Sequence, residues 1–279
     1  MDYRDGIVCG PKETAFFLIL LKRANMELFI CSNVYVPMRS APSHKSEMVS
    51  QLIFGERYTV EGRAGSWIRI RTLFDDYSGW IDGEHVQPVA FPGNEQGFVV
   101  NRALRCYRTD GSKLVLEAGS EIFSPDFRER TFRLGSEQFR ASDTFSERDI
   151  KADESKADTA MRYINSPYIW GGRVPSGIDC SGLTQLVYKI HGIALPRDAS
   201  RQVEAGIAVS FPEEAEPGDL LFFDSETGRI SHVGLLVARG LVIHASGRVR
   251  IDRTDHTGIF REDIKRYTHR LRVIRRIGS

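Results

Sequence analysis

The sequence predicts an α+β fold, with two small all-β units ahead of a domain that mixes a helix with antiparallel strands. Three observations carry this. Short β-like runs recur at close spacing through the first half of the chain. One apolar stripe at helical spacing follows, over Leu183, Leu186, Val187 and Ile190. Behind it, strand-like runs continue to the C-terminus.

Taken in order, residues 1–27 form an N-terminal extension with no domain pattern. Its apolar run, Ala15 to Leu21, is followed by Lys22 and Arg23. A secretion signal carries its basic residues before such a run and small residues at a cleavage site after it. The run is also too short to span a bilayer. A cytoplasmic protein without a membrane span is expected, extracytoplasmic only if the run is a degenerate signal. Residues 28–90 carry the strand-like runs Leu52-Ile53, Arg57 to Val60, Trp67 to Arg71 and Gly79 to Ile81, separated by Gly, Asp and charged turns. That spacing predicts a small barrel or sandwich, with Trp67, Ile70, Trp80 and Ile81 supplying its bulk. Residues 91–145 repeat the style, with strands at Leu114 to Leu116 and Ile122-Phe123 and a turn at Asp110-Gly111. The charged stretch from Asp143 to Asp158 reads as a linker into a helix over Asp158 to Ile164.

The last domain, residues 150–279, holds the chemistry. Asp179 is a good cap for the helix that carries the apolar stripe, and Gly192 a good stop. After Pro217-Gly218, strands are expected at Asp219 to Phe223, His232 to Val237, Leu241 to Ala245, Val249 to Asp252 and Leu271 to Ile277. A formal net charge of +1 over 279 residues argues for neither nucleic acid nor an anionic surface as partner. The four cysteines, Cys9, Cys31, Cys106 and Cys180, form no C-x-x-C pair. Neither a zinc site nor a disulfide framework is expected, and no metal or cofactor.

Cys180 stands in the first turn of the capped helix. The free N–H groups and partial positive charge there favour a thiolate, and can later hold an oxyanion. A nucleophile needs a base, and the base an orienter. His44, His85, His191, His256 and His269 stand in turn, charged or helix-end contexts and read as solvent-facing or locally satisfied. His232 and His244 instead bound two apolar strands that flank one hairpin. Side chains alternate along a strand, so the two share a face only if an odd number of residues forms the loop. A three-residue loop, Ala238-Arg239-Gly240 with Gly240 left-handed, would put His244 opposite Gly234 and diagonal to His232. Gly234 would leave room for an imidazole. His232 is then the base for Cys180 and His244, a neutral orienter, fixes its tautomer.

Five segments occur in order over the last 120 or so residues: Tyr168-Ile169-Trp170-Gly171-Gly172, Asp179-Cys180-Ser181-Gly182-Leu183, Pro217-Gly218-Asp219-Leu220, Ser231-His232-Val233-Gly234 and Ile243-His244-Ala245-Ser246. Together they resemble the NlpC/p60 family of bacterial cell-wall cysteine peptidases. The resemblance implies a papain-like α+β domain, cleavage of murein stem peptides and the triad Cys180, His232 and His244. It also implies Tyr168 as an oxyanion donor, Trp170 as a groove wall, and Asp179 and Ser181 in contact with substrate, although Asp179 could equally be only the helix cap. The two leading units are similar to bacterial SH3-like barrels, an arrangement resembling the γ-D-glutamyl-L-diamino-acid endopeptidases of murein peptide recycling. That likeness implies substrates with a free N-terminal L-Ala, and one end of the groove closed by the first barrel. A buried ammonium needs a carboxylate. Glu47 is the candidate, with Tyr77 as a wall, while Arg197, Asp198 and Ser200 line the pocket or form a solvated loop. A monomer acting on murein peptides is the expectation. The alternatives are a hydrolase of intact wall anchored by its barrels, an amidase or acyltransferase, and a wall-binding module with a dead catalytic domain.

Overall fold

The computed structural model describes residues 27–84, 89–91, 95–142, 144–224 and 228–278. The expected extension before Met26, with Cys9, lies outside them, as does His85. The described residues form three sheet-centred bodies in chain order, with few and short helices.

The first sheet has the strand order Met48–Ile53, Tyr35–Arg39, Ser78–Asp82, Trp67–Thr72, Arg57–Ala64, Leu28–Ile30 and Val89–Ala90, all antiparallel. Its strands alternate because one face packs inward: Ile68 and Ile70 are buried, together with Val36, Met38, Leu52, Tyr58 and Ile81. The second sheet runs Lys113–Leu116, Leu104–Tyr107, Glu137–Ala141, Thr131–Leu134, Glu121–Asp126 and Gly97–Val99, over a core rich in phenylalanine. Phe132 and Phe139 stack there with ring centroids 5.2 Å apart. The stretch expected to be a linker is not free chain. Asn101 Nδ2 donates to the carbonyls of Arg148 and Lys151, and buried Asp149 closes a capping box with Ser146. The Asp149 carboxylate faces inward and accepts from the Ser146 amide, which composition cannot reveal.

The third sheet has the order Ile207–Val209, Arg266–Arg276, Leu220–Asp224, Ile230–Ala238, Leu241–Ser246, Arg248–Thr254 and Gly258–Arg261. Gly258–Arg261 also pairs back onto Arg266–Arg276, so the sheet closes on itself. Leu221, Phe223, Leu236, Val242, Ile259 and Ile274 form one inner cluster. The alternate residues Leu220, Phe222, Val233, Leu235 and Ile243 pack with Leu183, Leu186, Val187 and Ile190 of the helix Cys180–Ile190. A strand buried on both faces reads as a continuous apolar run, as Leu220 to Phe223 does.

All eleven residues of that helix are buried. Its polar side, which an amphipathic pattern assigns to solvent, is instead covered by the leading sheets. Glu56, from the first, accepts from Arg173 Nη1 and Nη2 at 2.9 and 2.8 Å and from Lys189 Nζ at 2.7 Å. Glu121, from the second, lies 3.0 Å from the same ammonium. Burial would raise the Glu56 carboxyl, but the charges of Arg173 and Lys189 hold it at about 2. Gln185 Nε2 donates to Asp75 at 2.9 Å, and Arg173 reaches the carbonyl of Gln51. All three bodies therefore meet on the polar side of the helix Cys180–Ile190.

Candidate active site

Asp179 caps the helix by accepting from the Gly182 amide at 2.7 Å. Its carboxylate also takes the Gly171 amide at 2.9 Å and Arg197 Nη2 at 2.6 Å. Arg197 Nη1 adds a bond of 2.9 Å to Ser181 Oγ. Asp179, Ser181 and Arg197 thus lock one another and hold the turn before Cys180. Gly171 sits at φ +78°, and a Cβ there would lie 2.3 Å from the Met48 carbonyl. Only glycine lets the Trp170-Gly171 turn approach the first sheet so closely.

Cys180 is buried beside the backbone of Val233, the residue after His232. Burial, with the charge of Asp179 behind it, pushes its thiol up to about 12, against the pull of the Val233 and Ser181 amides and of Arg197. The expected thiolate is therefore disfavoured in the substrate-free chain: burial and a neighbouring carboxylate outweigh the helix terminus. His232 is held well below its usual value by burial and by His244 and His269. Thiol and imidazole are thus both neutral at rest.

The hairpin has the register that the sequence predicts, with His244 opposite Gly234, but by another device. Arg239-Gly240 is a two-residue turn, with Gly240 at φ +72°, and the odd residue is a bulge at Val237. His232 Nε2 and His244 Nδ1 are 2.8 Å apart. A Cβ on residue 234 would lie 2.5 Å from Val242 Cγ2 and 3.1 Å from His244 Cβ.

Two residues escaped the sequence reading. Asp252 Oδ2 stands 2.9 Å from His244 Nε2, and Arg250 holds the same carboxylate, its Nη2 donating to Oδ1 at 2.8 Å in an ion pair whose Nε lies 2.7 Å from Oδ2. Burial would raise Asp252, but His244 and Arg250 more than offset it and keep it ionised. His244 is therefore not a lone neutral orienter. The signal was available: His244 pairs with Arg250 across a turn at Gly247, and period two puts residue 252 on the same face. An anionic Asp252 requires a proton on His244 Nε2, which leaves Nδ1 to accept from His232 Nε2–H. His232 Nδ1 then carries the basic lone pair. The second is His269, expected to be solvent-facing or locally satisfied. It stacks on His232 at 4.1 Å between ring centroids and 26° between planes. Burial and His244 push it down to about 4, so it too is neutral. The closure of the sheet brings it there, and no local pattern announces that.

A cavity of about 330 Å³ opens over the thiol. The sequence candidates Trp170, Asp179, Ser181, Arg197, Asp198 and Ser200 line it beside Cys180, and Glu47 and Tyr77 come from the first sheet. Glu47 Oε1 accepts from Trp170 Nε1 at 2.6 Å, tying sheet to groove wall. Burial and Asp198 push the Tyr77 phenol up to about 12. Burial also raises Asp198. Tyr168 packs against the core that holds Cys180. Burial, then Cys180 and Asp179, push its phenol up to about 12, so it remains a proton donor. Of the remaining histidines, His44 lies 3.2 Å from Asp82 and His191 bonds Thr159 at 3.0 Å. Cys31 and Cys106 are buried, free thiols. Among the described residues, no group of three or more His, Cys, Asp or Glu could hold a metal ion, and no helix is long and apolar enough to cross a membrane.

Residues 165–268 match the NlpC/P60 family model, and residues 38–86 match the model of the bacterial dipeptidyl-peptidase SH3 domain. The gamma-D-glutamyl-L-lysine dipeptidyl-peptidase of Bacillus subtilis (strain 168) is 28% identical over 218 residues, 70% of this chain and 71% of the relative. Its namesake in Bacillus cereus (strain ATCC 10987 / NRS 248) is 29% identical over 229 residues, 73% of this chain and 68% of the relative. A solved NlpC/P60 family protein from Bacillus cereus ATCC 10987 superposes with a TM-score of 0.74 at 20% identity, over 89% of this chain and 99% of that one, and so shares the fold.

Proposed function

From a chain that carries an NlpC/P60 domain and a bacterial SH3 domain, we propose a cysteine endopeptidase that hydrolyses the γ-D-glutamyl–L-diamino-acid bond of murein peptides with a free N-terminal L-Ala, of the kind met in wall recycling. The six-stranded second sheet is read as a second SH3-like unit. The observation that carries the reading is the cavity over Cys180, whose far wall is Glu47 and Tyr77 of the first sheet. A groove walled in this way suits a peptide end better than the interior of a continuous wall polymer. Glu47 and Asp198 supply carboxylates for the terminal ammonium.

The mechanism follows from the proton positions. As sulfur attacks the γ-carbonyl carbon, the thiol proton passes to His232 Nδ1, and His244 with ionised Asp252 stabilises the imidazolium. The Tyr168 hydroxyl and the amide at the helix start serve the oxyanion. His232 then gives its proton to the departing amine, leaving a thioester that water, deprotonated by the same nitrogen, hydrolyses.

The test is cleavage of three substrates: L-Ala-γ-D-Glu-L-Lys, its N-acetyl form and purified sacculi. Release of L-Ala-γ-D-Glu from the free-amine peptide alone is expected. Release from sacculi with the free peptide left intact would overturn the reading in favour of a wall hydrolase.

A further inference from the structure

A second cavity, of about 700 Å³, is bordered by His269, which stacks on His232. His269 lines it with Asp224, Ser231, Tyr267 and Arg270, and Ser231 also borders the cavity over Cys180. Ser231, the residue before His232, thus borders both spaces. If His232 protonates the departing amine, that amine lies on the histidine side of the sulfur. The acyl half then fills the cavity toward Asp179 and Glu47, and the departing half enters the larger one.

The chemistry of its walls is specific. Arg270 stands opposite Asp224 in the strand register. Its Nε and Nη2 donate to the two oxygens of Asp224 at 2.8 and 2.7 Å. The Asp224 side chain is 1% exposed and that of Arg270 64%. Asp224 is spent on this pair and offers nothing to an incoming ammonium. The guanidinium has five N–H donors, and two suffice for Asp224. Among the described residues, the others have no partner. The Tyr267 hydroxyl is engaged with Asp255, so its ring serves as wall. The charge the cavity presents is therefore a positioned guanidinium.

We propose that this cavity binds the departing half of the substrate, and that Arg270, held by Asp224, pairs with a free carboxylate on the diamino acid. The assignment rests on the peptidase reading above and adds a specificity determinant to it: a free C-terminal carboxylate directly after the scissile bond.

The experiment compares kcat/KM for L-Ala-γ-D-Glu-L-Lys with a free C-terminal carboxylate and for its C-terminal amide. The ratio is taken within each enzyme, so the folded fraction cancels. The wild type is expected to favour the acid about tenfold, the size of a charge-assisted hydrogen bond in a half-open site. Arg270→Gln is expected to bring the ratio near one, and Arg270→Lys to an intermediate value. A wild-type ratio of one, or an undiminished ratio in Arg270→Gln, overturns the assignment while leaving the peptidase reading intact. If Arg270→Gln is inactive, Arg270→Lys decides: a ratio below that of the wild type supports the assignment, and an undiminished ratio overturns it. Cleavage of neither peptide by the wild type overturns both.

Discussion

Asp252 decides which nitrogen of His232 is basic. It is ionised, lies 2.9 Å from His244 Nε2, and so sets the tautomer of two rings in series. Asp252→Asn removes the charge that stabilises the imidazolium and permits the opposite tautomer when the amide nitrogen faces His244. A fall of about a hundredfold in kcat is expected, with KM little changed, because the loss is felt only once His232 is charged. Steady-state kinetics check it, and equal changes in kcat and KM would point to altered binding instead. His269 acts differently. It touches no proton path but shields one face of His232 from water.

The hairpin shows at the scale of elements what a sequence can convey. Alternation alone required an odd residue between His232 and His244, and the register follows it. The bulge at Val237 in place of a longer loop could not be read, because bulge and loop satisfy the same parity. Asp252 was readable by the same period-two argument. His269 was not, since it depends on the last strand returning to the edge of Gly258–Arg261. Gly234 holds the arrangement open. Gly234→Ala places a methyl group 2.5 Å from Val242 Cγ2 and 3.1 Å from His244 Cβ. A loss of about 1–3 kcal/mol in unfolding free energy is expected, with lower kcat as His244 is pushed from His232. Denaturant titration and kinetics on one sample measure both.

For the whole molecule, the buried ions around Glu56 join the three bodies. They were not legible, because a glutamate, an arginine and a lysine far apart in sequence look like surface residues until the helix is found buried on every side. Glu56→Gln leaves Arg173 buried without its anion and Lys189 with Glu121 alone, and should cost about 3–5 kcal/mol of stability. The same groups set the response to acid. Glu56 is depressed from 4.5 to about 2, so its contribution is full above 4.5 and fades as pH falls toward 2. His232 and His269 are depressed from 6.5, so the unfolded chain gains protons there first. Stability should therefore decline as pH drops below about 6.5 and decline again below about 4.5. Thermal melts from pH 8 to 3 follow this, and Glu56→Gln should show a smaller second decline.

Cys180 is proposed as the nucleophile, although it rests as a neutral thiol. Cys180→Ala removes only the sulfur from a helix whose cap and core stay in place. Its turnover of L-Ala-γ-D-Glu-L-Lys, followed by release of L-Ala-γ-D-Glu, measures the claim directly. Loss of at least about a thousandfold in kcat against the wild type is expected. Retention of turnover within tenfold of the wild type would contradict it.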